Sequence, residues 1–526
     1  MRRLSGRPGE TRLMDGPIVI GIDCSTTAAK AVARDARGRD LGEGRSGVKL
    51  HDFGDGRYEQ DPTDWWAAVC AALRALLALL PGAEVAAVSI SNQRETFAPF
   101  DADGVPLRPA IVWLDERCRD EVDRFATRVG ETRIHRLTGK PKDITPVVYR
   151  LAWMQRHEPD LYRRIALVLD VHGYLALRMT GTATTSWASA DPLGVFDMQR
   201  KDYAPEILGP LGLAAAQFAP ACPPGQVIGT VSAAAARETG LPEGTKLVAG
   251  GGDGQMAGLG ANVLIPGRAY LNLGTAVVSG LHGMAYRTDP AFRTMGSATG
   301  DGYIYESCLR AGTFLVDWFV RHLLHLDPTG DGGVYAALER EAAALPAGAE
   351  GLLLLPYWMG VMPPHWDMQA RGAIVGLAPQ HGRAHLYRAL LEGIAFDQAM
   401  VTGLTEAATG LRCTEYLAIG GGARSDLWCR IIADVSGRPV LRSTTVECSS
   451  MGAAMAAAVG AGWFPGFIEA AQAMSGPISR RFEPDPVASA HYARLMPAYR
   501  ELYPRLKPLF AALAAATQMH GEPVLS

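Results

Sequence analysis

One carboxylate stands alone in a run of glycines, Gly250-Gly251-Gly252-Asp253-Gly254-Gln255, midway along a chain of 526 residues. Where no Cβ blocks the approach of a ligand, such a carboxylate suits a general base toward an alcohol. The alternative is a tight strand-to-helix connection. Three further turns suit phosphate. In Asp23-Cys24-Ser25-Thr26-Thr27, backbone N–H groups and the hydroxyls of Ser25, Thr26 and Thr27 can face a triphosphate while Asp23 holds Mg²⁺ through water. Its alternative is a hairpin whose hydroxyls cap their own backbone. Gly274-Thr275 offers the same two readings. In Gly420-Gly421-Gly422-Ala423, the glycines let adenine or ribose lie on the backbone, or serve only a tight turn. Arg94 and Glu95 set a donor beside an acceptor, matching vicinal hydroxyls; the alternative is a surface ion pair worth little. Trp113 is a stacking surface for a sugar or nucleotide, or a core residue, and Lys30 meets phosphate or water. These chemistries belong together in phosphoryl transfer to an alcohol, which depends on positioning and charge neutralisation and asks a base only for late proton acceptance.

The elements that must carry these residues are legible in the pattern. Strands are expected at 17–23, 29–34 and 85–90, the last ending in Ser91-Asn92-Gln93-Arg94-Glu95-Thr96. Polar clusters just past buried strands are where open α/β sheets bind ligands. Asp61-Pro62 caps a helix running to Leu80. Lys246 to Ala249 leads into Asp253 as a strand, and small residues lead out as a helix. From Gly267 the pattern restarts with strands at 269–273 and 277–281 around Gly274-Thr275. A helix is expected at 312–324, a strand at 351–356, a long helix over 383–405, a strand before Gly420 and a helix capped by Ser425. The small-residue run Gly452 to Ala458 predicts a tightly packed helix. Alternating strands and helices in two halves predict an α/β fold of two domains.

Composition bounds the partners. Charged residues make up 20% of the chain and the net charge is -3, so no basic excess points to nucleic acid. The eight cysteines lack metal-ligand spacing, which fits free thiols in a cytoplasm. The apolar run from Val69 to Leu80 is too short to span a bilayer and contains Arg74. The Arg- and Gly-rich opening is not a secretory signal, and Met14 is an alternative start.

Taken together the motifs resemble the FGGY carbohydrate kinases of the actin/hexokinase/Hsp70-like ATPase superfamily, from about Pro17 to Phe464. Gly21 to Thr27 resembles the family's opening turn, with Ser25 in place of glycine. Arg150-Leu151-Ala152-Trp153-Met154 resembles its N-terminal signature, with Arg150 where lysine is usual. Gly372 to Leu377, His385-Leu386 and Ala389 to Glu392 resemble the C-terminal signature, and Gly420 to Asp426 the adenosine turn. The resemblance implies two actin-like (ribonuclease H-like) domains around a central cleft. Residues 17–262 would bind the sugar and residues 263–505 ATP, between a disordered extension at 1–16 and a tail at 506–526. It implies Asp253 as base and Asp23 on Mg²⁺. Arg94, Glu95 and Trp113 would meet the sugar or polyol. Ser25, Thr26, Thr27, Gly274, Thr275, Gly421, Gly422 and Ala423 would meet ATP. Neither nucleic acid nor membrane is an expected partner, and a homodimer is the assembly to test. The substrate signals are mixed. Asn92 to Thr96 is similar to the glycerol kinase loop. Asp143-Ile144-Thr145, Val277-Val278 and Pro364-His365-Trp366-Asp367 are not glycerol-like, and aliphatics in place of aromatic walls leave room for a longer acceptor. D-xylulose is the expected substrate and glycerol the runner-up, with a non-catalytic sugar sensor as the rival class.

Overall fold

The computed structural model describes residues 16–327, 333–445 and 447–518. The extension expected at 1–16 lies outside them except for Gly16. β1 (Ile18–Cys24) is buried almost throughout, as an apolar strand covered on both faces must be. It pairs antiparallel with β2 (Ala28–Arg34), which pairs antiparallel with β3 (Asp40–Gly47). On its other side β1 runs parallel to β4 (Val85–Asn92). With β5 (Val227–Thr230) and β6 (Lys246–Gly252) the sheet reads β5-β6-β4-β1-β2-β3, and β6 is parallel to β4.

The second half repeats the plan. Its strands are β7 (Arg268–Leu273), β8 (Val277–Gly283), β9 (Arg293–Gly296), β10 (Tyr303–Leu309), β11 (Glu415–Ile419), β12 (Val440–Ser443) and β13 (Ile478–Phe482), in the order β9-β10-β8-β7-β11-β12-β13. β7, β8 and β10 are antiparallel neighbours, and β11 and β12 run parallel to β7. Each half thus contains three antiparallel strands followed by two parallel ones and an antiparallel edge strand, and the second half adds β9 at its other edge. The local echo between the two strand–turn–strand units is an echo of topology.

Helices cover the sheets. α1 (Pro62–Leu77) starts where the Asp61 side chain accepts from the Thr63 N–H, with Pro62 in the first turn. It ends three residues before the expected Leu80, and Leu79 is exposed. α2 (Asp253–Gly260) and α4 (Cys448–Ala461) pack closely because their contact residues are small. A Cβ on Gly452 would sit 2.1 Å from the Met256 carbonyl oxygen. α4 also lies against the first sheet, where Met451, Ala454 and Met455 join Val19, Ala87 and Val248 in one core. The long helix α3 (Arg383–Thr409) fills the second core. α5 (Pro486–Gln518) closes the described chain, with Tyr492, Tyr499, Tyr503 and Phe510 buried on that core. Residues 506–518 of the expected tail are thus helix, held by the apolar face that Phe510 continues; residues 519–526 lie outside the described residues. A further core joins Phe97, Tyr149 and Phe196 of the first half to Phe292, Tyr303 and Tyr305 of the second. No described helix is long and apolar enough to cross a membrane.

Candidate active site

Three adjacent parallel strands end at one edge. Asp23 on β1 is level with Ser91 on β4, and Ser91 is level with Gly251 on β6. The turns that follow β4 and β6 carry Arg94 and Asp253, so both open from the carboxyl ends of the strands beside Asp23. The glycines of the motif make room for side chains. A Cβ on Gly252 would lie 2.5 Å from Cγ and Cδ of Arg94, so the arginine lies across the turn only because that residue is glycine.

Asp253 opens α2. Its Oδ1 accepts from the Gly254 N–H at 2.7 Å and lies 3.1 Å from Arg94 Nε. The side chain keeps 40% exposure, so its carboxylate is not closed in by Arg94 and Gly254. Desolvation raises its pKa above the ordinary carboxylate value, and Arg94 acts in the opposite sense. Asp23 accepts from the Ser91 hydroxyl at 2.9 Å. Burial first, and then the negative charge of Asp253, push Asp23 up to about 7.

Arg94 and Glu95 are buried, and neither is paired with the other. Arg94 Nη1 donates to both oxygens of Glu306 at 3.0 Å. Glu95 accepts from Arg293 Nη1 at 2.9 Å. The backbone of Glu95 is left-handed, with φ of 52°. Such strain in a residue other than glycine persists only where the surroundings impose it. Arg150, fully buried, donates to the Glu95 carbonyl at 2.6 Å and to the Val112 carbonyl at 3.0 Å, holding the loop from beneath. A surface ion pair is therefore the wrong description of Arg94-Glu95.

Of the first turn, the Ser25 hydroxyl donates to the Ala28 carbonyl at 2.9 Å, the self-capping alternative. Thr26 Oγ1 accepts from the indole N–H of Trp113 at 2.9 Å, which ties that tryptophan to the turn, and Thr27 is exposed. At the second turn Thr275 is exposed. The Gly274 and Thr275 carbonyls are held by the Thr313 and Gly312 N–H groups at 2.8 and 3.0 Å. At the third, Gly420 and Gly421 line a cavity of about 300 Å³ with Asn272, Arg424, Glu447 and Ser449. Gly422 and Ala423 are buried behind it, Gly422 against Trp428, where a Cβ would come within 2.6 Å of the indole ring. Among Gly421, Gly422 and Ala423, only Gly421 opens to the cavity. Lys30 reaches neither water alone nor an empty turn: its Nζ is 2.6 Å from Glu447 at the cavity wall.

Sequence reasoning missed Glu306, Arg293, Tyr270 and Glu447. A signal existed for one of them. Glu306 is a lone acid inside the apolar strand Tyr303–Leu309, and a buried charge demands a partner. Among the described residues no group of three His, Cys, Asp or Glu side chains is placed to hold a metal ion. One carboxylate with water and phosphate oxygens is nonetheless how Mg²⁺ is commonly bound beside a nucleotide, and a buried Asp23 whose pKa is raised by burial and by the charge of Asp253 fits a divalent cation.

Residues 18–260 match the family model described as FGGY family of carbohydrate kinases, N-terminal domain, and residues 269–461 match the C-terminal domain of that family. The xylulose kinase of Escherichia coli is 30% identical over 94% of this chain and its own entire length. That of Bacillus subtilis is 29% identical over 94% of this chain and 98% of its own. The crystal structure of xylulose kinase from Rhodospirillum rubrum superposes with a TM-score of 0.87 at 28% identity, covering 94% of this chain and all of that one.

Proposed function

The chain belongs to the FGGY family of carbohydrate kinases, and on that premise we propose that its acceptor is a ketopentose, D-xylulose before others, with Asp253 as the base. The observation that carries the reading is the meeting of Asp23, Arg94 and Asp253 at one sheet edge, with Arg94 Nε 3.1 Å from the Asp253 carboxylate. That full-length relatives are xylulose kinases supports the choice of sugar. A carbohydrate kinase takes its phosphoryl group from ATP, and the cavity at Gly421, Asn272 and Arg424 is the place we assign to the adenosine. Thr26 and Thr275 would face the phosphates from the two halves.

In this reading Arg94 and Glu95 orient the acceptor hydroxyls. The reacting oxygen attacks the γ-phosphorus, the bond to the β-phosphate oxygen breaks, ADP leaves, and the hydroxyl proton passes to Asp253. The raised pKa of Asp253 makes it a better proton acceptor than an ordinary surface carboxylate. Asp23 would hold Mg²⁺, whose contribution is to neutralise charge on the phosphates. A homodimer and a cytoplasmic location belong to the same reading. The eight cysteines are all free thiols, as a reducing compartment keeps them.

Glycerol is the second acceptor, favoured by Asn92 to Thr96. Against it, Asp143 is taken up by Arg310 at 3.0 Å. Initial rates of ADP release with D-xylulose, other ketoses, aldoses and glycerol decide between them. D-xylulose should give the highest kcat/KM. Asp253→Asn should abolish transfer and leave ATP binding intact. If no sugar or polyol raises turnover above background hydrolysis, the chain is a sensor.

A further inference from the structure

Glu306 on β10 is fully buried, and both of its oxygens are occupied. Arg94 Nη1 donates to them at 3.0 Å, Arg293 Nε at 2.7 Å and the Tyr270 hydroxyl at 2.6 Å. The two guanidinium groups hold its carboxyl down to about 2, so it stays ionised at any working pH. A buried charge cluster of this kind is weak evidence for stability, since well-packed apolar residues often do as well. What it supplies is orientation.

The cluster continues in both directions. Asp253, Arg94, Glu306, Arg293 and Glu95 form one chain of alternating charge. Asp253, Arg94 and Glu95 come from the first half, and Glu306 and Arg293 from the second. Arg94 spends Nε on Asp253 and Nη1 on Glu306, with Gln255 Oε1 3.3 Å from the same nitrogen. Three contacts on a rigid planar group fix its plane. Gly254 is part of the device. A Cβ there would stand 2.7 Å from Arg94 Nη2 and 2.9 Å from Glu306 Oε2. The motif therefore keeps glycine on both sides of Asp253 so that this arginine and this glutamate fit against the base.

We infer that Glu306 is a positioning residue for the transfer: from the second half of the molecule it holds Arg94 against Asp253 and, through Arg293, holds Glu95. It touches neither sugar nor nucleotide and acts through the two residues of the sugar loop. Without its charge Arg94 closes on Asp253 alone and ceases to present a fixed donor to the acceptor. The inference rests on the reading of Asp253 as base and of Arg94 and Glu95 as the sugar loop.

The test is steady-state kinetics on the full chain, with D-xylulose or the best acceptor of the panel. Glu306→Gln preserves shape and removes the charge. Its kcat/KM for the sugar should fall about a hundredfold, the scale of lost charged hydrogen bonds. KM for ATP and the thermal shift produced by ADP should stay within twofold of the parent, which a merely structural lesion would not respect. Because Glu306 acts through Arg94, its removal in an Arg94→Lys background should cost less than threefold, whereas independent effects multiply. If Glu306→Gln does not fold, Tyr270→Phe, which deletes one hydrogen bond and no charge, carries the test and should lower sugar kcat/KM at least fivefold at unchanged KM for ATP. Parent-like sugar kinetics in the folded variant, or a full multiplicative loss in the double variant, overturns the inference. Asp253→Asn separates the two levels. An active Asp253→Asn defeats the underlying reading, while an inactive one beside a parent-like Glu306→Gln defeats this inference alone.

Discussion

At the scale of single residues, Glu95 is the sharpest probe of the cleft. Its carboxylate is bound by Arg293 and its carbonyl by Arg150, in a left-handed backbone that these contacts hold in place. Glu95→Ala leaves the backbone contact and removes the carboxylate. The sugar KM should rise about tenfold or more, corresponding to roughly 1–3 kcal/mol for a buried hydrogen bond, with KM for ATP unchanged in the same assay. An unaltered sugar KM would place Glu95 outside the substrate contact. Residues of this kind are readable from sequence when a turn follows its own strand, as Asp23, Arg94 and Asp253 do. Glu306 and Arg293 were not readable as partners of that loop, because about 200 residues separate them from it, 212 between Arg94 and Glu306, and only the pairing of two halves brings them there. Ser25 shows the reverse case. Its hydroxyl looked available in the sequence and is spent on Ala28.

At the scale of elements, the long helix α3 carries a titratable fault. Asp397 is buried among apolar residues and accepts one hydrogen bond, from Tyr357 at 2.8 Å. Burial pushes its carboxyl up to about 7 from an ordinary 3.8. The folded state thus keeps a proton that the unfolded chain releases above its lower pKa. Stability from this group is full below about pH 4 and is lost as pH rises through 7. Asp397→Asn is neutral at every pH and still accepts from Tyr357. It should raise the thermal midpoint by several degrees at pH 8, with the gain vanishing near pH 4; equal midpoints at pH 8 would refute it. Periodicity found α3 from its start at Arg383 but stopped short of Thr409, since Ala407 and Ala408 carry no face of their own. β1, β2, β7 and β8 were legible as apolar runs separated by hydroxyl turns. The last helix was not, because Pro497, Pro504 and Pro508 read as breaks although tertiary packing of Tyr499, Tyr503 and Phe510 holds the helix through them.

At the scale of the whole molecule, two sheets are joined by α2, which leads the chain from the first to the second, and by α4, which leaves the second sheet after β12, packs on the first and leads to β13. The duplication was visible in the sequence only as two strand–turn–strand units, since the strand order is set by pairings across hundreds of residues. The cavity that we assign to ATP lies where α2 and α4 meet the end of β11. Lys30 of the first half reaches Glu447 there. One face of the first sheet is covered by α4, whose residues 448–461 come more than 400 positions after β1, the earliest of the three strands they cover. Gly21 of β1 is placed so that a Cβ would fall 1.9 Å from the Ser450 carbonyl oxygen, so no other residue brings that helix so near. A fragment of residues 16–262 should therefore be aggregated or molten by sedimentation and near-ultraviolet dichroism, and a well-folded monomer would contradict this.

The order of synthesis and the order of completion consequently differ. A ribosome finishes β1 early, yet the wall of that strand arrives only when residue 461 has left the exit tunnel. Until then Val19, Ala87 and, once it is made, Val248 lack the α4 side chains that cover them in the fold, and the first half waits for the last part of the second before it can close.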